Sequence, residues 1–152
     1  MTEKSSPIDK SAWPDGPWKT EPDRKEWEHT GFNCLVVRAA SHGALCGYVG
    51  VPPGHPWYGH GYDDISAECH GGLTYAQSCQ GKVCHVAKPG ESDDLWWLGF
   101  DHAHAWDLCP ALGQTMRIFG EGSGSVYRDM EYVVKGVEAL AEQALAAVKE
   151  TK

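Results

Sequence analysis

Three stretches of this chain gather the side chains that do chemistry: His55, Trp57, Tyr58 and His60; His70-Gly71-Gly72-Leu73-Thr74-Tyr75; and Asp101-His102-Ala103-His104-Ala105-Trp106-Asp107. The third supports two geometries. As a continuing strand it places Asp101, Ala103, Ala105 and Asp107 on one face and His102 and His104 on the other, and a His-x-His pair on one face suits zinc. As the start of a helix it makes Asp101 an N-cap and puts His104 and Asp107 on one face, with His70 supplying another nitrogen. His70, Asp101, His104 and Asp107 are therefore the candidate ligands of a divalent metal such as zinc. His70, Asp101 and His104 are the candidate catalytic set, because imidazoles beside a carboxylate activate a metal-bound water or, without metal, act as base and orienting acid. The competing reading is structural: Asp101 caps a turn and His104 keeps an ordinary hydrogen bond. Cys69-His70 and Cys84-His85 are weak zinc candidates, since strand neighbours point to opposite faces.

A binding surface has its own candidates. Gly71 and Gly72 let backbone N–H groups approach a ligand, and Thr74 and Tyr75 add hydroxyls. A tight turn before a strand explains the same residues. Arg38, the one formal charge between residues 32 and 62, either pairs with an internal acid or clamps a phosphate. His55, Trp57 and Tyr58 offer an imidazole and flat walls, as Trp96, Trp97 and Trp106 do, although aromatic residues in strands more often build core. Asp129, after Tyr127 and Arg128, suits a helix cap.

These groups need a frame. Asn33 to Ala39 and Ala44 to Val51 are short and rich in branched residues, with His42-Gly43 as a turn, which predicts a hairpin. Lys82 to Ala87 and Leu95 to Phe100 predict a second hairpin across Pro89-Gly90. Pro52 to Tyr62 is a structured loop, because its prolines and glycines interrupt any regular element. Glu21 to Glu28 reads as a short helix, with Pro22 in its first turn and Trp27 buried. Asp107 to Leu112 reads as a helical turn and Gly120 to Gly124 as a flexible connection. From Met130 to Val148 apolar residues recur at helical spacing, a long amphipathic helix. The result is a single α+β domain: an antiparallel or mixed sheet over residues 32–152 packed against the C-terminal helix, preceded by an arm, residues 1–31, pinned by Trp13 and Trp18.

With 152 residues and a formal charge of −8, the chain can bury a full core without disulfide or metal support. The excess acid is local: residues 63–110 hold eight acids against Lys82 and Lys88, and seven of the eight histidines lie from His42 to His104. That balance disfavours duplex nucleic acid and anionic membranes, which reward clustered Lys and Arg. A small phosphorylated ligand needs only a few donors and stays compatible. The N-terminus has no signal-like apolar run, so a cytoplasmic location is expected, with the six cysteines reduced and mostly buried as small hydrophobes.

The ordered set GALCGYVGVPPGHPWYG (43–59), HGGLTYA (70–76), WWLGFDHAHAWD (96–107) and YRDMEYV (127–133) resembles a family of small proteins of unassigned function common in bacteriophage and prophage genomes. In that family the third motif usually carries Cys where this chain has His102 and Gly where it has Trp106. His70, Asp101, His104 and Asp107 match the pattern. The resemblance implies an accessory role in the host cytosol, such as capturing or degrading a nucleotide signal of host defence. Two expectations follow. One is a His/Asp/aromatic pocket for a small polar, nucleotide-like ligand, with metal-assisted hydrolysis if it is an enzyme. The other is a non-catalytic protein that binds a host protein through the Pro/Gly/aromatic loop.

Overall fold

The computed structural model describes residues 8–11, 13, 15–39, 42–79, 83–84, 94–102, 109–110 and 127–150. Five strands, β1 (Arg24–His29), β2 (Phe32–Arg38), β3 (Leu45–Val51), β4 (Tyr75–Ser78) and β5 (Trp96–Asp101), form one sheet in the order β1-β2-β3-β5-β4. Every pairing is antiparallel. One long helix, α1 (Met130–Glu150), lies across it. The fold is α+β, as the alternating and helical periodicities require.

Period-2 alternation divides the sheet residues between two faces. Phe32, Cys34 and Val36 of β2, Leu45, Val49 and Val51 of β3, and Leu98 and Phe100 of β5 meet the apolar stripe of α1, which is Val133, Val137, Leu140, Ala141 and Ala144. Full burial of each large side chain contributes about 1.5–3 kcal/mol, so this layer dominates stability. Gly47 lets the helix come close: a Cβ there would sit 2.5 Å from Val137 Cγ2. On the opposite face Leu35, Val37, Leu95 and Trp97 form a second cluster with Tyr48, Tyr75 and Val83. Burial on both faces explains why β2 reads as a nearly continuous apolar run.

Three expectations are corrected. The region read as a helix over Glu21 to Glu28 is the edge strand β1, whose Trp27 pairs with Cys34 of β2. Its alternation of Lys25, Trp27 and His29 with Glu26 and Glu28 is strand-like, and cross-strand pairing outweighs its weak helical propensity. The second hairpin does not form as expected, because β5 is flanked by β3 and by β4, the segment after Gly71-Gly72. Of Lys82 to Ala87 only Val83 and Cys84 are described. The third correction is that Cys79 and Cys84 form a disulfide; the other four cysteines are free, and Cys34, Cys46 and Cys109 are buried as expected. The Pro89-Gly90 turn and the Gly120 to Gly124 connection lie outside the described residues, as does most of Asp107 to Leu112. No helix among the described residues is long and apolar enough to cross a membrane.

Candidate functional site

Arg38 ends β2 on the helix side and is 1% exposed. Its five N–H donors meet five acceptors. Nε donates to Asp23 Oδ1 at 2.7 Å, one terminal nitrogen to Gly43 O at 2.8 Å and Tyr127 Oη at 2.9 Å, and the other to Glu21 Oε1 at 3.0 Å and Pro22 O at 3.4 Å. Burial works against the guanidinium charge, but bonds to Tyr127, Asp23 and Glu21 hold its pKa above the ordinary value. Of its two sequence readings, the internal ion pair is the one the fold displays. Burial, together with the bond to Glu21, also raises the Tyr127 phenol.

The adjacent corner is built differently. After β5 the chain alternates, so Asp101 leaves on the outer face and His102 on the helix side. His102 is 1% exposed and its Nδ1 lies 2.7 Å from Leu45 O. A carbonyl only accepts, so Nδ1 carries the proton and a neutral ring has its lone pair on Nε2. The His70 ring stacks on it with centroids 4.5 Å apart and planes at 22°. His70 Nδ1 lies 3.0 Å from Tyr132 Oη, and the Tyr132 ring stands edge-on to both imidazoles. Tyr132 remains 41% exposed, and the Arg128 guanidinium carbon sits 5.0 Å from its ring centroid.

Local sequence explains the placement. Gly72 N–H donates to Cys69 O at 3.0 Å, closing a turn whose third residue, Gly71, has φ +71°, a left-handed angle that glycine adopts without a Cβ penalty. The turn presents His70 at its tip. One of the two glycine N–H groups suggested for a ligand is thus engaged by the turn itself. Tyr132 lies in the first turn of α1, and Arg128, two residues before the helix begins, reaches forward over its ring. The Asp129 carboxylate accepts Tyr132 N–H at 2.9 Å and Glu21 Oε2 accepts Met130 N–H at 2.8 Å, so carboxylates already occupy the helix N-terminus. Asp129 acts as the expected cap.

Asp101 faces the other way. Its Oδ2 accepts from Thr74 Oγ1 at 3.2 Å, and its strand partner is Cys46. Tyr48 and Tyr75 meet edge to face nearby, with centroids 5.3 Å apart. Burial raises the Cys46 thiol to about 12, helped by the Asp101 charge, and burial lowers His42. His70 and Asp101 therefore serve opposite faces of one sheet end. His104 and Asp107, the remaining members of the metal set, lie outside the described residues, and so does Trp106. Among the described residues no group of three His, Cys, Asp or Glu is arranged to hold a metal.

His55 is remote from this corner. It is buried against the far part of α1, with Nε2 2.9 Å from Ala144 O and Nδ1 accepting Trp57 N–H at 2.9 Å. Ala144 and Tyr132 are twelve residues apart, about 18 Å along a helix. Burial pulls the His55 pKa down, and the Ala144 bond partly restores it. Trp57 belongs to the core. Tyr58 donates to Asp94 Oδ1 at 2.5 Å and leans on Trp96, whose Nε1 donates to His60 O at 2.9 Å. These contacts stand at the start of β5, about 20 Å along an extended chain from His102.

His102 enters the sequence reading only beside His104 as a His-x-His pair, and Tyr132 and Arg128 are absent from its site residues. Their signal was faint: Arg128 and Tyr132 at i, i+4 beside a helix start. Comparison with known proteins returns no matching family model, no similar curated protein and no similar solved structure.

Proposed function

We propose that the chain binds a small anionic, nucleotide-like ligand at the corner of His70, His102, Tyr132 and Arg128. The observation that carries this reading is the stacked imidazole pair, one ring buried and one partly exposed, tied to a tyrosine that is itself 41% exposed. A planar aromatic group stacks beside such rings, and Arg128, the Tyr132 hydroxyl and the His70 imidazole offer donors to a phosphate. Asp94, a charge that would repel the ligand, stands beyond the other end of β5.

Binding is the form this reading takes, carried by the ring stack and the donors beside it. The phage-type resemblance is compatible with capture of a nucleotide signal. The alternative of a host-protein surface on the Pro/Gly/aromatic loop gains nothing from the structure, since Trp57 is buried and Tyr58 and Trp96 are engaged within the chain.

Adenosine 5′-monophosphate titrated against 15N-labelled protein tests the reading. The His70 ring nitrogens and Arg128 Nε should shift in a saturable manner, and His70→Gln should weaken binding about tenfold while leaving the unfolding midpoint nearly unchanged. Equal affinity of wild type and His70→Gln, or no shift at millimolar nucleotide, would overturn it.

A further inference from the structure

We infer that Glu21 is a positioning residue for this corner, setting from the N-terminal segment where Arg128 and Tyr132 stand; the inference rests on the binding reading above. The Glu21 carboxylate is shared three ways. Oε1 accepts from Arg38 at 3.0 Å and from the Tyr127 hydroxyl, and Oε2 accepts the Met130 N–H at 2.8 Å. Tyr127 and Met130 bracket Arg128, so one carboxylate holds the chain on both sides of it. The first turn of α1 then carries Tyr132 to His70, with the Tyr132 N–H on Asp129.

Glu21 is itself held in place. Arg38 is fully buried and fixed to the β2–β3 turn through Gly43 O. The Lys10 ammonium reaches Asp23 at 2.7 Å and Trp18 O at 2.6 Å, and the buried Trp18 ring meets Tyr127 edge-on at 4.9 Å. A carboxylate at a helix N-terminus is favourable in its own right, but a cap alone would not need the Tyr127 hydroxyl. The double attachment fixes the direction in which α1 leaves the sheet, and with it the distance from Tyr132 to His70.

The test compares Glu21→Gln, Tyr127→Phe and Asp23→Asn in the full chain. Asp23→Asn removes a carboxylate from the same Arg38 but touches neither Tyr127 nor Met130, so it controls for loss of stability alone. The readout is the 15N resonances of the His70 ring in the absence of ligand, followed by titration with adenosine 5′-monophosphate. Glu21→Gln and Tyr127→Phe should both displace the His70 resonances and weaken nucleotide binding about tenfold, while Asp23→Asn leaves both as in wild type. Should Glu21→Gln fail to fold, Tyr127→Phe, which keeps the ring, decides alone. Unchanged His70 resonances in a folded Glu21→Gln or Tyr127→Phe variant, or an equal displacement in Asp23→Asn, would overturn the inference. Failure of the wild type to bind the nucleotide would sink the binding reading alone, because the ligand-free resonances still report the positioning.

Discussion

Two polar corners flank the start of α1, and they use charge in opposite ways. At Arg38 every donor is satisfied by the chain itself and the side chain is 1% exposed. At His70 the ring meets the Tyr132 hydroxyl and stacks on His102, and Tyr132 faces solvent. A saturated buried cation is an element of structure, because any ligand would have to displace a carboxylate to reach it. An exposed tyrosine and a partly exposed imidazole resting on a buried histidine form a surface whose rigidity is supplied from beneath. The contrast shows that residue type alone does not separate clamp from site: sequence reasoning nominated Arg38 for a ligand and passed over Arg128.

The contrast is broken most forcefully at Arg38. Arg38→Met should cost about 3–5 kcal/mol in denaturant unfolding, since Glu21 and Asp23 are left without their shared cation; a loss below about 1 kcal/mol would show that the corner is not structural. Beneath both corners, Gly47→Ala should cost about 1–3 kcal/mol through contact with Val137, visible in the same unfolding curves. It should weaken nucleotide binding only as far as α1 shifts.

Acid provides a third probe. His42 and His55 have pKa values lowered by burial, so the unfolded chain takes up their protons first. Stability is therefore full above the unfolded value of about 6.5 and declines as pH falls below it. His55→Gln should flatten that decline in thermal melts between pH 7 and pH 5; an unchanged slope would remove His55 from the account. The smallest structural effect is expected at the exposed corner. Tyr132→Phe should change stability by less than about 1 kcal/mol while weakening adenosine 5′-monophosphate binding several-fold by titration calorimetry. A large loss of stability there would make the two corners alike.

The frame was legible where the core imposes periodicity. The runs Asn33 to Ala39, Ala44 to Val51 and Leu95 to Phe100 and the helix from Met130 place apolar residues on the faces that must be buried. Edge strands escape this logic. In β1, charged neighbours keep an exposed edge from pairing further and so resemble a polar helix, and β4 has only Tyr75 and Ala76 partly buried in four residues. The Cys79–Cys84 bridge has a spacing that signals nothing by itself. At the site, His70 was legible as a histidine beside two glycines. His102 was not, because whether a histidine stacks or ligates depends on what the next element brings against it. Tyr132 was hidden among the polar positions of an amphipathic helix, and Arg128 in the short segment that precedes it.

The reach of Glu21 has a consequence for how the chain assembles. Its bond to Met130 N–H spans 109 positions, a closure that contributes to a high contact order and slows folding. During synthesis the sheet can pair while α1 is still inside the ribosome, but the apolar side of β2 and β3 stays bare and the Glu21–Arg38 pair lacks its third partner until α1 emerges. A chain stopped before Met130 would display that bare face as an aggregation surface.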